Sequence, residues 1–412
     1  MKRRVAITGL GLVSSRGQSP AAAFEAWCNG VSDIALHDIG EAPYATAVPF
    51  ALCVDFDPTA VLGRSRLATM ERVSQLSAVA AISAWHDAQL EGLDTAQRDS
   101  ACVLWGTGGG GTNTTERSYH DLFVKQRPRI SPLSVVLGMH NAAASHIALQ
   151  LGLGGDCLTY SVACASSAVA VGEAFRRVQS GQADIAVAGG AEAAMPFGIV
   201  KAWESMKIMA PAGTRPEASC RPFHAGRQGL VLGEGSAALI LEDWEHAHRR
   251  SARIYAEIAG YGSSCDHMHL TTPDAQGQLR ALRQALRDAS VNPEDVQYVN
   301  AHGTATLDGD PVEIAALRTL LGAHAPNTLV SATKSMHGHL LGAAGAIEIM
   351  ATALALQTQN VPPTAHLDQI DPACAGLDHV CGTGRAGVKL QVALSNSFAF
   401  GGSNAVLVLK AA

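Results

Sequence analysis

Apolar positions along the chain fall into two alternating rhythms. Short, nearly continuous apolar runs predict buried strands at 185–188, 236–241, 329–332, 392–395 and 405–409. Longer stretches with apolar residues at every third or fourth place predict helices over 67–88, 165–180, 276–289, 310–321 and 342–357. The opening run 4–11 reads as a strand ending in a Gly turn, and a similar run returns at 254–262. The segment from Ala101 to Thr107 is echoed by that from Val296 to Thr304, and the strand-then-helix order after Thr159 is echoed after Val330. This alternation, repeated once as pattern rather than identity, predicts an α/β protein of two related halves, 1–250 and 251–412. Glu245-His246-Ala247-His248-Arg249-Arg250 would carry the connection, and without a low-complexity linker the halves should pack as one body.

Composition narrows the class. Of 412 residues, 47% are hydrophobic and 16% charged, which excludes disorder and provides for one large core or two fused ones. A net charge of −6 argues against a general nucleic-acid or anionic-membrane surface, so neither partner is expected. The most apolar window, 340–356, is interrupted by Glu348 and glycines and falls short of the roughly 20 apolar residues a membrane span needs. It predicts a buried core helix. Nine cysteines lie scattered without a CxxC pair, and the N-terminus enters a strand with no signal peptide, so a reducing cytoplasm is expected.

Cys164 lies where a short apolar strand meets a helix start rich in small residues, Ser161-Val162-Ala163-Cys164-Ala165-Ser166-Ser167. The positive end of a helix favours thiolate, and small neighbours admit a carbonyl substrate. A buried, inert cysteine fits the same local sequence equally well. His302, in Asn300-Ala301-His302-Gly303-Thr304-Ala305-Thr306, follows an apolar strand, where α/β sites collect, but a surface-loop histidine reads alike. Thr304 and Thr306 could bind a ligand amide or cap the next turn. The segment Lys334-Ser335-Met336-His337-Gly338-His339 carries two histidines without nearby acidic or Cys ligands, so no metal site is expected there. His267 and His269 read as loop residues. Gly106-Thr107-Gly108-Gly109-Gly110-Gly111 formally matches GxGxxG, yet the polar run 112–117 is a poor start to an apolar helix and no acid follows at the right distance. Phe398 to Asn404 reads alone as a hairpin turn with a core aromatic.

Together, in this order and spacing, these segments resemble the β-ketoacyl–acyl-carrier-protein synthases of the thiolase superfamily, the branch with Cys-His-His sites. The resemblance runs from Val5 to Asn404 and also takes in Gly233-Glu234-Gly235 and the helix bearing Glu348. It implies a five-layered αβαβα thiolase-like fold from two duplicated halves. It implies Cys164 as nucleophile, His302 and His339 as hydrogen-bond donors to a malonyl thioester, and Lys334 with Glu348 ordering the histidines. The backbone of Phe400 would complete an oxyanion hole, and Thr304 and Thr306 would hold phosphopantetheine. No cofactor would be bound by the enzyme itself; 4′-phosphopantetheine would arrive on the acyl carrier protein. A homodimer is implied, with a heterodimer with a related subunit as the alternative.

Within that resemblance, fatty-acid elongation and a specialised polyketide or aryl-polyene role both stay open. Gly109 stands where relatives carry a bulky aliphatic residue in the acyl channel, which favours a wider pocket. Ala399 stands between Phe398 and Phe400 where relatives usually have Gly, which stiffens the gate. Carrier proteins are acidic, so Arg64, Arg66, Arg127, Arg129 and Lys207 are docking candidates, with plain solvated surface the alternative for each. A thioester hydrolase and a non-catalytic partner subunit are the competing functions.

Overall fold

In the computed structural model, residues 2–40, 45–193 and 195–412 are described. The first part of the chain supplies strands β1 (Val5–Val13), β2 (Cys102–Gly106), β3 (Cys157–Tyr160), β4 (Ile185–Glu192) and β5 (Gly235–Asp243). The rest supplies β6 (Ala256–Cys265), β7 (Tyr298–Asn300), β8 (Leu329–Ser331), β9 (Val392–Phe398) and β10 (Ser403–Lys410). Their order is β8-β7-β9-β10-β6-β1-β5-β4-β2-β3, with the two-residue strand Asp378–His379 beyond β8.

The pairing repeats. β3, β2 and β4 run parallel, and β4 is antiparallel to β5, which is antiparallel to β1. β8, β7 and β9 run parallel in the same way, β9 is antiparallel to β10, and β10 to β6. Only the pairs Val5–Ile258, Ala6–Glu257 and Ile7–Ala256 join the two sets.

Helices complete the layers. α1 (Arg72–Asp87) and α2 (Ala142–Leu151) cover the outer face of the first set, and α4 (Ala275–Ala289) and α5 (Gly309–Leu321) that of the second. α3 (Ser166–Ser180) and α6 (Ala344–Thr358) lie side by side in the middle and touch strands of both sets, giving the thiolase-like αβαβα order. α6 is apolar all round, and every residue from Ala344 to Leu356 is buried. A helix with no polar face has its stable place inside a core. Its stretch Leu341–Thr358 is apolar and long enough to be compared with a membrane span, but 83% of it is buried inside the molecule.

Several boundaries differ from the sequence expectation, three of them as follows. The helix expected from 67 begins at Arg72, because the Glu71 side chain accepts from Val73 N and caps it there, while Arg64–Leu67 forms a separate turn. The helix expected from 342 begins with a tight 3-10 turn, Leu341–Ala343. The strand expected at 185–188 continues to Glu192, since both of its faces are buried and no polar alternation marks its end.

The middle layer is close-packed through small residues. A Cβ on Gly345 of α6 would lie 2.6 Å from Ala168 N of α3, and one on Gly172 of α3 would meet the Tyr261 ring at 2.5 Å. Gly345→Ala should therefore destabilise the protein by about 1–3 kcal/mol, although alanine in an exposed helix interior would stabilise it by about 1 kcal/mol. Denaturant unfolding of the two proteins reads the sign, and a more stable variant would contradict this packing.

Candidate active site

Cys164 lies in the turn from β3 to α3. Ala163 there has φ of 45°, a left-handed conformation that alanine adopts only under constraint. Ser166 fastens the turn: its Oγ donates to Ala163 O (2.6 Å) and accepts from Val162 N (2.8 Å). The end of β2 abuts the turn at Gly106, where a Cβ would come 2.3 Å from Ser167 N. The thiol is 6% exposed and opens on a cavity of about 240 Å3. Burial pushes its pKa up to about 12, against the pull of the Lys334 charge and of the Phe400 and Cys164 N–H groups. The helix end by itself suggests a thiolate; burial of the thiol works against it and is the larger effect.

His339 is held by its backbone, donating from N to Val231 O (2.7 Å) and accepting from Gly233 N (3.0 Å). Its Nδ1 accepts from Leu341 N (3.3 Å), so the ring proton sits on Nε2, 3.0 Å from Cys164 Sγ. His302 follows β7. Its N and that of Gly303 donate to the two oxygens of Glu313 (2.9 and 2.8 Å). Lys334 Nζ lies 3.3 Å from His302 Nδ1, donates to His302 O (2.6 Å) and pairs with Glu348 on α6. All three ammonium hydrogens thus have acceptors, and Lys334 and Glu348 are both fully buried. An ammonium at Nδ1 leaves the His302 proton on Nε2 as well. Burial first, then the Lys334 charge, holds both imidazoles well below the usual histidine range. The two rings stand perpendicular, with centroids 5.4 Å apart.

The β9–β10 hairpin forms the opposite wall. Phe398 lies edge-on to His302 at 6.2 Å, and Phe400 stacks on Trp203 at 5.8 Å. Ala399 N donates to Ser403 O (2.8 Å), and Gly401 and Gly402 turn with φ of 84° and 77°. Thr304 and Thr306 line the cavity with their hydroxyls 3.0 Å apart.

Not every residue singled out in the sequence gathers there. Gly109 is absent from the lining of this cavity; its N donates to Glu192 (3.1 Å), and a Cβ on it would meet the Thr112 methyl at 3.2 Å. Arg64, Arg66, Arg127, Arg129 and Lys207 are all exposed, and Arg127 is paired with Asp121 (3.0 Å). Of these, Lys207 adjoins Met206 in the cavity wall. His337 turns both ring nitrogens to Gly338 O and Thr333 Oγ1 (2.8 and 3.0 Å), away from any ligand role. The donor atoms of Cys164, His302 and His339 do cluster within 4.8 Å. A cation among them would face two N–H edges and the charge of Lys334, so the donor set suits a metal poorly.

Two buried acids escaped the sequence reading. Glu192 accepts from Gly108, Gly109 and Gly342 N (2.7, 3.1 and 3.0 Å), so the Gly run has spent on a carboxylate the N–H groups a phosphate would need. Glu313 clamps the His302 loop and also takes Asn396 Nδ2 (3.0 Å). Both were findable as lone acids: Glu192 ends a fully buried strand, and Glu313 sits on the apolar face of α5 with Ile314 and Leu317.

Comparisons with known proteins agree with this geometry. The family model for the β-ketoacyl synthase N-terminal domain matches residues 2–247, and that for the C-terminal domain matches 255–368. Nodulation protein E of Rhizobium sp. (strain N33) is 40% identical over 100% of both chains. The 3-oxoacyl-[acyl-carrier-protein] synthase 2 of Synechocystis sp. (strain ATCC 27184 / PCC 6803 / Kazusa) is 40% identical over 99% of this chain and 98% of its own. A solved structure of a type II polyketide acyl-carrier protein in complex with its ketosynthase, bound to a hexaketide, superposes with a TM-score of 0.90 at 30% identity over 100% of both chains. The chain belongs to the β-ketoacyl synthase family.

Proposed function

We propose that this chain is a 3-oxoacyl-[acyl-carrier-protein] synthase of fatty-acid elongation in which Cys164, His302 and His339 carry the chemistry. The observation that bears most weight is the placement of two buried imidazoles beside one thiol: His339 Nε2 lies 3.0 Å from Cys164 Sγ, and the donor atoms of Cys164, His302 and His339 lie within 4.8 Å of one another. Cys164 Sγ attacks the thioester of an acyl carrier, the carrier sulfur leaves with the thiol proton, and the N–H groups of Cys164 and Phe400 hold the oxyanion. A malonyl carrier then enters, its pantetheine arm along Thr304 and Thr306. Carbon dioxide departs and the electrons of the broken bond pass to an enolate, whose oxygen receives hydrogen bonds from His302 and His339. The carbanion attacks the acyl thioester, Cys164 leaves and takes a proton from solvent, and the 3-oxoacyl chain, two carbons longer, remains on the carrier. Lys334 and Glu348 are positioning residues that fix the His302 tautomer.

A hydrolase would want a water-accessible base, whereas both imidazoles here act as donors. The intact Cys164, His302 and His339 set argues against a non-catalytic subunit. A specialised polyketide or aryl-polyene ketosynthase remains the second reading, favoured by the likeness to the hexaketide-bound enzyme; Gly109, which lies outside the cavity lining, does not bear on it. The relatives carry two kinds of name at equal identity, so identity alone does not choose a pathway. A partner subunit, identical or related, is supported by β3, a sheet-edge strand whose Cys157 and Leu158 are exposed beside Leu149. All nine cysteines are free, which suits the cytoplasm. Lys207 beside the cavity mouth is the docking residue best placed for an acidic carrier.

Intact-mass spectrometry with a panel of acyl carriers should show acylation of the wild type and none of Cys164→Ala. Straight-chain donors should load first; preferred loading of aryl or polyenoyl donors would move the assignment to the second reading. His302→Ala and His339→Ala should each lower carbon dioxide release from malonyl carrier by about 10²–10³-fold, with Cys164 still acylated. Equal loss of both steps would remove the enolate role. Because both imidazoles titrate well below the usual range, ring-labelled histidine NMR should show them neutral down to pH 5.5. Protonation near pH 6.5 would contradict the hydrogen-bond assignment.

A further inference from the structure

Gln278 belongs to the buried stripe of α4, together with Ala281, Leu282, Ala285 and Ala289. Every other member of that stripe is apolar, and a leucine would suit the packing. Gln278 is 1% exposed, yet its Oε1 accepts no hydrogen bond among the described residues. A buried amide left unpaired costs stability that an apolar side chain would not, so its presence at such a place calls for a partner from outside the chain. The side chain lines the same cavity as Cys164, Thr304, Thr306 and Gly309.

Two other polar side chains of the same cavity are already engaged. Asp266 accepts from Asn404 Nδ2 (2.6 Å) and Asp274 N (3.0 Å), and Thr306 Oγ1 accepts from Gly309 N (3.2 Å). Gly277 is held tight against Asp266, where a Cβ would fall 1.8 Å from Oδ1, so the start of α4 is fixed relative to the cavity. Gln278 is therefore presented on a rigid frame, and rotation about its last bond turns either end of the amide to the cavity.

We infer that Gln278 binds an amide of the pantetheine arm, as a specificity residue of the cavity that the two threonines also line. The inference rests on the reading of the cavity as the route of a carrier-borne thioester. An arm of that kind carries two amides separated by short methylene spacers. A cavity lined by threonine hydroxyls and an unpaired carboxamide pairs with such a ligand, and less well with a purely apolar one.

The test uses the full chain and Gln278→Met, which keeps the length and flexibility of the side chain, with Gln278→Leu as a second variant. Acylation of Cys164 is followed by intact mass with three donors of one acyl group: acyl carrier, acyl-pantetheine and the shorter acyl-N-acetylcysteamine. The half-saturation concentration for acyl carrier and acyl-pantetheine should rise about two- to tenfold in both variants, with a smaller change in maximal rate. A smaller rise with acyl-N-acetylcysteamine would locate the contact at the amide further from sulfur, and an equal rise at the nearer one. Unchanged half-saturation for all three donors would overturn the inference while leaving the synthase reading intact. No acylation of the wild type by any donor would overturn both.

Discussion

One buried ammonium organises this molecule. Lys334 sits at zero exposure and directs its three hydrogens to the His302 ring, the His302 carbonyl and the Glu348 carboxylate. A charge without solvent tolerates no missing acceptor, because the cost of leaving one unpaired is several kcal/mol. The loop after β7 and the helix α6 are thereby fixed to each other. Burial first, and then this same charge, holds both imidazoles well below the usual histidine range, while the charge pulls down a thiol that burial pushes up. One group thus places the histidines and adds to what burial does to their protonation.

That pairing demands two central helices that approach closely. Gly345 against Ala168 lets α3 and α6 lie where larger residues would hold them apart, and Gly172 against Tyr261 seats α3 close on β6. α3 carries the Cys164 turn at its start and α6 carries Glu348 on its first turns, so backbone separation in the middle layer sets the distances within the site. The hairpin wall and the Glu313 clamp then orient what the helices have brought near.

Much of this was legible in the sequence, and unevenly. The periodicities located the central strands and helices because both faces of those elements are buried, which leaves long apolar runs. The helix start at Arg72 was missed because a glutamate cap and a preceding short turn give no periodic signal. Cys164 was ambiguous locally: the constrained Ala163 turn is fastened by Ser166, which a window around the cysteine contains, but it is also packed against β2 at Gly106, which such a window does not contain. The Cys164–His339 contact spans 175 residues of chain, and only the order of motifs along the whole sequence pointed to it. Glu192 and Glu313 lay inside apolar elements and were passed over, since single acids there read as interruptions. Their partners are backbone N–H groups, which leave no mark on composition.

The repeated strand pairing has a consequence for how such a molecule could have arisen. Each half offers the same framework, yet Cys164 stands on the first and both His302 and His339 on the second. A duplicated ancestor supplies two equivalent scaffolds, and joining them in a single polypeptide secures a one-to-one ratio at birth. Neither copy then has to remain a complete catalyst, and each is free to lose what the other keeps. Division of labour between twins, made permanent by a peptide bond, leaves a cavity whose wall neither copy could build alone.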